Sequence, residues 1–234
     1  MLRIGHRGAA GTAPENTLAS FRRAVTLGVD GVELDVQRSR DGALVVIHDE
    51  TVDRTTDGSG RVANLTLAEI GRLDAGTWKG PEFAGERVPT LAEVVEAVPA
   101  PVRVFVELKD PSRYPGIEAE VVGLVRERGV GDRVELSSFD HASLARVRSI
   151  APEVRLGFLY SRHPDPIPAA RALRAASLHA AFRHLASRVV DDAHRAGLAV
   201  YAWTLNEPAD IAAARAMGVD GIFSDRPERL ISGS

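Results

Sequence analysis

Short apolar runs alternate with amphipathic stretches along the whole chain, and that alternation predicts strands separated by helices. The strand-like runs are Arg3 to Gly8, Gly31 to Gln37, Val102 to Lys109, Val134 to Phe139, Val154 to Tyr160, a weak one near Ser177 to Phe182, Leu198 to Asn206, and Gly221 to Ser224. Helical patterns cover Glu15 to Leu27, Leu91 to Val98, Ile117 to Arg128, Ala142 to Ile150, Pro166 to Ala175, Arg188 to Ala196, Pro208 to Met217 and Pro227 to Ile231. Thr66 with Glu69, and Thr90 with Glu93, fit capping boxes that open helices. Pro14, Pro208 and Pro227 sit at or just before helix starts, while Gly28 and Gly197 supply stops. Strict alternation implies a parallel sheet covered by helices, and eight such units imply an α/β chain folded as a (β/α)8 TIM barrel. A single barrel domain is expected over residues 1–234, interrupted after the second strand by a turn-rich insertion at about 50–88. That insertion is expected to sit over the barrel mouth, as a substrate lid or as a small packing module.

Two of the strands carry charges where a buried strand should carry none. Glu33 and Asp35 interrupt the run from Gly31 to Val36, and Glu107 and Lys109 interrupt the run from Val104. Strand side chains alternate faces, so each charged pair shares one side while Val32, Leu34 and Val36, or Val106 and Leu108, share the other. Uncompensated buried carboxylates cost several kcal/mol each, so a divalent metal, a positive substrate or a lysine partner is required nearby. An internal ion pair holding strands in register is the structural alternative. His6-Arg7 and His48-Asp49 also fall at strand ends, which favours an active site, because TIM-barrel sites lie at the carboxyl ends of the strands.

Composition narrows the chemistry. The 234 residues include no cysteine, which removes disulfides, thiolate metal sites and a cysteine nucleophile. Any metal must therefore be held by oxygen or imidazole. A net charge of -3 argues against a surface that neutralises nucleic-acid phosphates, although a local basic cluster can still hold a small anion. No segment reaches the apolar length of a membrane span and the amino terminus lacks a secretory pattern, so a soluble cytoplasmic protein is expected. Glu33, Asp35 and Glu107 suit a hard cation such as Mg2+ or Ca2+. His6 and His48 are the natural acid and base near neutral pH. Arg7 and Lys109 can hold phosphate, with Lys109 alternatively a structural partner of Glu107. The combination points to metal-assisted phosphoryl chemistry.

The motifs His6-Arg7-Gly8, Pro14-Glu15-Asn16-Thr17, Glu33-Leu34-Asp35, His48-Asp49, Arg54-Thr55-Thr56, Glu107-Leu108-Lys109, Ser138-Phe139, Trp203 with Asn206, and Ser224-Asp225-Arg226-Pro227 resemble, in order along the chain, those of the glycerophosphodiester phosphodiesterases. The resemblance implies a (β/α)8 barrel with an inserted subdomain that hydrolyses glycerophosphodiesters to glycerol 3-phosphate and an alcohol, with one divalent metal ion. Position by position it implies metal ligands at Glu33, Asp35 and Glu107, an acid–base pair at His6 and His48, and phosphate contacts from Arg7 and Lys109. Glu15 and Asn16, at the start of the first helix, are expected to bind substrate where they close the mouth, with a helix cap as the alternative. Trp203 packs on the substrate or fills the barrel. Ser224 and Asp225 are expected to be structural, and His141, His163, His179, His184 and His194 are expected on helices or loops in surface or capping roles. A phospholipase D-like barrel acting on lysolipids and a non-catalytic phosphodiester-binding barrel are the competing readings. The first is usually secreted and disulfide-bonded, which the absence of cysteine does not support.

Overall fold

A computed structural model describes residues 1–231. Its chain runs β1 (Leu2–Gly5), α1 (Leu18–Thr26), β2 (Gly31–Arg38), β3 (Leu44–Val46), α2 (Leu67–Ile70), α3 (Leu91–Ala97), β4 (Arg103–Leu108), α4 (Ile117–Glu127), β5 (Val134–Ser138), α5 (His141–Ile150), β6 (Arg155–Tyr160), α6 (Pro166–Ala172), β7 (Ser177–Ala181), α7 (Ser187–Arg195), β8 (Ala199–Trp203), α8 (Pro208–Ala216), β9 (Gly221–Ser224) and α9 (Glu228–Ile231). Eight of the strands are parallel neighbours in the order β1-β9-β8-β7-β6-β5-β4-β2, and β1 pairs with β2 to close the ring. The result is the TIM barrel that the alternation predicts. A ninth strand, β3, lies outside the eight strand-like runs of the sequence, just before His48, which the sequence places at a strand end. It is only three residues long and lies antiparallel on the carboxyl end of β2, Val36 opposite Val46, outside the ring.

Alternation along each strand builds two cores. Val32, Leu34 and Val36 of β2 face outward with Val104, Val106 and Leu108 of β4 against buried residues of α1, α3 and α4. The inward set forms layers. At the amino-terminal end lies Glu135, fully buried, with Arg103 Nη2 at 2.8 Å and Arg155 Nε at 3.3 Å. Above it Ile4, Phe105, Tyr201 and Phe223 form an aromatic-rich waist. Gly31 makes room for it, since an added Cβ there would stand 2.7 Å from Cε2 of Phe105.

His179 departs from the expectation for the minor histidines. It is an inward residue of β7, 2% exposed, with Nε2 3.0 Å from Glu135 Oε1 and its ring against Phe105, Tyr201 and Phe223. The strand is short and flanked by alanines, so its period is weak in the sequence, but the barrel turns every second residue inward.

Both capping boxes form as read, at Thr66 with Glu69 and at Thr90 with Glu93. The first helix starts later than expected. Thr17 is its N-cap, accepting from the Ser20 amide, and Pro14 to Asn16 form a turn before it in which Asn16 takes a left-handed φ of 57°. With Val45 of β3, the segment after that strand forms its own apolar cluster of Ile47, Val52, Val62, Ile70, Ala75 and Val88. Lys79 ties it to the loop after β1, its Nζ donating to the Ala10 carbonyl at 2.6 Å.

Glu135 yields a stability prediction. Burial alone would raise its pKa, but bonds from His179 and Ser177 and the charge of Arg103 more than offset this and hold it at about 2, below the ordinary 4.5. A depressed folded-state pKa contributes stability above the unfolded value, and that contribution is lost as pH falls from 4.5 toward 2. Urea unfolding should show Glu135→Gln destabilised by roughly 3 kcal/mol at pH 7, with the gap to wild type closing as pH drops toward 3. A gap that stays constant with pH would contradict this role.

Candidate active site

The register of β2 and β4 sets the centre of the site. Asp35 lies directly opposite Glu107, and Glu33 is two residues earlier on the same face. One carboxylate oxygen from each of Glu33, Asp35 and Glu107 falls within 4.8 Å of the others. The compensating cations are few. Lys109 Nζ is 2.8 Å from Glu107 Oε1 and 3.8 Å from Asp35 Oδ1, and Arg7 Nε is 3.2 Å from Asp35 Oδ2. Burial followed by the neighbouring Asp35 charge pushes both Glu33 and Glu107 well above the usual carboxylate range. Burial would push Asp35 the same way, but Arg7, Lys109 and His48 hold it below its ordinary value. Asp35 Oδ1 is buried with no hydrogen-bond donor. A hard cation fits here, since the donor set is all oxygen and one of its lone-pair sites is unspent.

Arg7 occupies a left-handed turn at the end of β1, with φ 50°. That turn aims its backbone amide at Glu33 Oε2, 3.0 Å away, and its Nη1 at Glu15 Oε1, 2.7 Å away. Asn16 Nδ2 donates to Asp35 Oδ2 at 2.9 Å. Glu15 and Asn16, expected at the substrate, therefore stand behind the cavity wall, their polar atoms taken up by Arg7, Arg54 and Asp35. The left-handed Asn16 turn, which sequence periodicity does not reveal, puts them there.

The two histidines have parallel surroundings. His6 Nδ1 is 2.7 Å from Asp225 Oδ1, while its Nε2 is on the side of Glu33. Asn206 Nδ2 donates to the other Asp225 oxygen at 2.7 Å and Asn206 Oδ1 accepts from the Asp225 amide. His48 Nδ1 is 2.6 Å from Asp49 Oδ1, and Arg54 Nε holds Asp49 Oδ2 at 2.6 Å. Arg54 also grips Glu15, which joins His48 to Arg7 through an alternating chain of charges. For His6, burial favours the neutral ring, but Glu33 and Asp225 outweigh it and raise the pKa. Burial dominates at His48 and lowers it, aided by Arg7 and Lys109 against the pull of Asp35.

A cavity of about 180 Å3 gathers His6, Arg7, Glu33, His48, Glu107 and Lys109 on one side and Phe139, Leu159 and Trp203 on the other. Asp35 lies below its floor. Trp203 donates Nε1 to the His179 carbonyl at 3.1 Å and meets the edge of the Phe139 ring with centroids 5.8 Å apart. Asp225, Asn206, Asp49, Arg54 and Phe139 thus join the site without having been assigned to it from sequence. Each lies in a motif already noted, but Asp225 is 219 residues from His6, and only closure of the ring between β9 and β1 brings them together.

A model of the glycerophosphoryl diester phosphodiesterase family matches residues 6–229. A glycerophosphodiester phosphodiesterase of Caldanaerobacter subterraneus is 44% identical over 232 residues, spanning 98% of this chain and 96% of the relative. A phosphodiesterase of Oleispira antarctica, solved in complex with the product sn-glycerol-3-phosphate, superposes with a TM-score of 0.93 at 35% identity, covering 98% of this chain and 94% of that one. A glycerophosphodiester phosphodiesterase of Agrobacterium tumefaciens gives a TM-score of 0.88 at 34% identity, covering 99% and 100%. With a family match from the first catalytic-face motif to the last helix, and relatives matched over nearly their full lengths, the chain belongs to the glycerophosphoryl diester phosphodiesterase family.

Proposed function

We propose that the cavity hydrolyses glycerophosphodiesters to glycerol 3-phosphate and an alcohol, with His6 and His48 as the acid–base pair and one divalent cation, Mg2+ or Ca2+, held by Glu33, Asp35 and Glu107. One observation carries this reading: each imidazole has its Nδ1 fixed by a carboxylate, Asp225 or Asp49, and both rings line the same cavity as Glu33 and Glu107. Structural ion pairs do not need two such oriented imidazoles facing a void. A non-catalytic binding barrel would not need them either. The glycerol 3-phosphate held by the Oleispira antarctica relative supports the same substrate class.

Glu33, Asp35 and Glu107 would hold the divalent cation, which would supply Lewis-acid stabilisation for charge on the phosphoryl oxygens. The guanidinium of Arg7 and the ammonium of Lys109 face the same space and stabilise that charge as it grows. One histidine takes the proton of the attacking hydroxyl through its Nε2: water as attacker gives glycerol 3-phosphate directly, and the free glycerol hydroxyl gives a cyclic phosphate that water then opens. The other gives its proton to the departing alkoxide, so the phosphorus–oxygen bond breaks without releasing a free alkoxide. Asp225 and Asp49 keep Nδ1 protonated and thereby leave Nε2 to exchange the proton. Glu15 and Asn16 serve as supports: Glu15 fixes the guanidiniums of Arg7 and Arg54, and Asn16 fixes Asp35. Phe139 and Trp203 form the apolar wall against which the carbon skeleton packs. The insertion at about 50–88 acts as a lid wall, since it delivers Arg54 to the site and is anchored across the mouth by Lys79.

Released glycerol 3-phosphate should fall by about 10^2- to 10^4-fold in kcat for His6→Ala and for His48→Ala, with the fold retained by circular dichroism. Turnover near wild type in either variant would remove that residue from the chemistry. Asp225→Asn keeps the side-chain shape but loses the charge that orients His6. It should lower kcat by roughly 10- to 100-fold, leave KM little changed, and shift the acidic limb of the pH–rate profile. An unchanged profile would return Asp225 to a purely structural role.

A further inference from the structure

The catalytic face has a second depression. A cavity of about 290 Å3 opens over the loops that follow β6 and β7, lined among others by Tyr160, Arg162, His163, His184 and Arg188. Tyr160 ends β6, and Leu159 just before it lines the catalytic cavity. Successive strand side chains point to opposite faces, so Leu159 faces the barrel interior and Tyr160 the helical layer, and the two depressions lie on either side of the carboxyl end of one strand.

The charge of this second cavity is unlike that of the first. At the catalytic mouth Arg7 and Arg54 each pair with two carboxylates. Arg162, Arg183 and Arg188 are exposed, and among the described residues none forms an ion pair with a carboxylate. Arg162 Nε donates instead to His184 Nε2 at 3.0 Å, which fixes that ring nitrogen as an acceptor and leaves both terminal guanidinium nitrogens unspent. His163 Nδ1 accepts from the Asp165 amide at 3.1 Å, which orients its ring as well. His184 is held below its ordinary pKa by partial desolvation and then by repulsion from Arg162 and Arg183. In a chain of net charge -3, such a patch beside the substrate mouth attracts anions to that side. Guanidinium forks match the oxygen spacing of phosphate and carboxylate.

We propose that the loops after β6 and β7 form an anion subsite that takes a second phosphate or carboxylate, carried on the alcohol portion of a diester whose phosphodiester group lies at the acidic cluster. This rests on the hydrolase reading above and names the substrate class it favours: diesters of anionic alcohols, over diesters of neutral or cationic ones. Arg162 and Arg188 grip the second anion, and Arg183 adds attraction at longer range.

The test compares glycerophosphoinositol with glycerophosphoinositol 4-phosphate as substrates for wild type and the R162Q/R188Q double variant. Wild type should show a KM about tenfold lower for the phosphorylated diester, and the double variant should lose that preference while keeping kcat and KM for the unphosphorylated one. No preference in wild type, a preference retained by the variant, or equal loss on both substrates would each overturn the subsite. Retained preference together with lost sedimentation on phosphatidylglycerol-containing vesicles would assign the arginines to a lipid surface, and also overturn it. Should wild type hydrolyse neither compound, the hydrolase reading fails instead. Calorimetric binding of glycerophosphoinositol 4-phosphate then decides the subsite alone: weaker binding by R162Q/R188Q supports it, and equal binding overturns it.

Discussion

Repulsion among three carboxylates is the constraint on which the rest of this structure depends. The β2–β4 register forces Asp35 against Glu107, and Glu33 comes from the same face two residues away. A one-residue slip is excluded, because it would turn Val32, Leu34 and Val36 inward and the acids into the helical layer. The apolar layer outside thus compels the acidic layer inside. Arg7 and Lys109 neutralise part of the cluster and leave Glu33 and Glu107 with an elevated proton affinity. A site that stores unfavourable charge in this way is primed for a cation and for the anion that the cation brings with it.

The same economy explains the surroundings of the histidines. An imidazole beside a cluster of acids would turn toward them through either nitrogen. Asp225 and Asp49 settle that choice for His6 and His48, and each is itself held, by Asn206 in one case and Arg54 in the other. The two arms come from opposite ends of the chain. Asp225 follows the last strand, and Asp49 opens the inserted segment after β3, so one arm depends on closure of the barrel and the other on the small apolar cluster around Val52, Val62 and Ile70. Damage to packing far from the two imidazoles would therefore change their orientation.

The barrel was legible because strand and helix periods alternate with few interruptions, and the acids were legible because charge is conspicuous in an apolar strand. Four things were hidden, each for a physical reason. The strand Leu44–Val46 is too short to show a period. Glu15 and Asn16 look like a helix start, but a left-handed residue, Asn16 at φ 57°, turns them behind the wall. The roles of Asp225 and His179 depend on neighbours across the ring, Asp225 on β1 and His179 on Glu135 of β5, which no local pattern encodes. Arg54 was part of a noted motif, yet its two carboxylate partners, Asp49 and Glu15, are united only in the folded chain.

The central claim is that Glu33, Asp35 and Glu107 share one cation. Crystals soaked in Mn2+, which scatters anomalously and takes the same oxygen ligands as Mg2+, test it directly. The account predicts a single anomalous peak within coordination distance of all three carboxylates, displaced by excess Mg2+ or Ca2+. A saturating soak that leaves the three carboxylates ordered with no peak between them, or that places the ion elsewhere in the barrel, would contradict it.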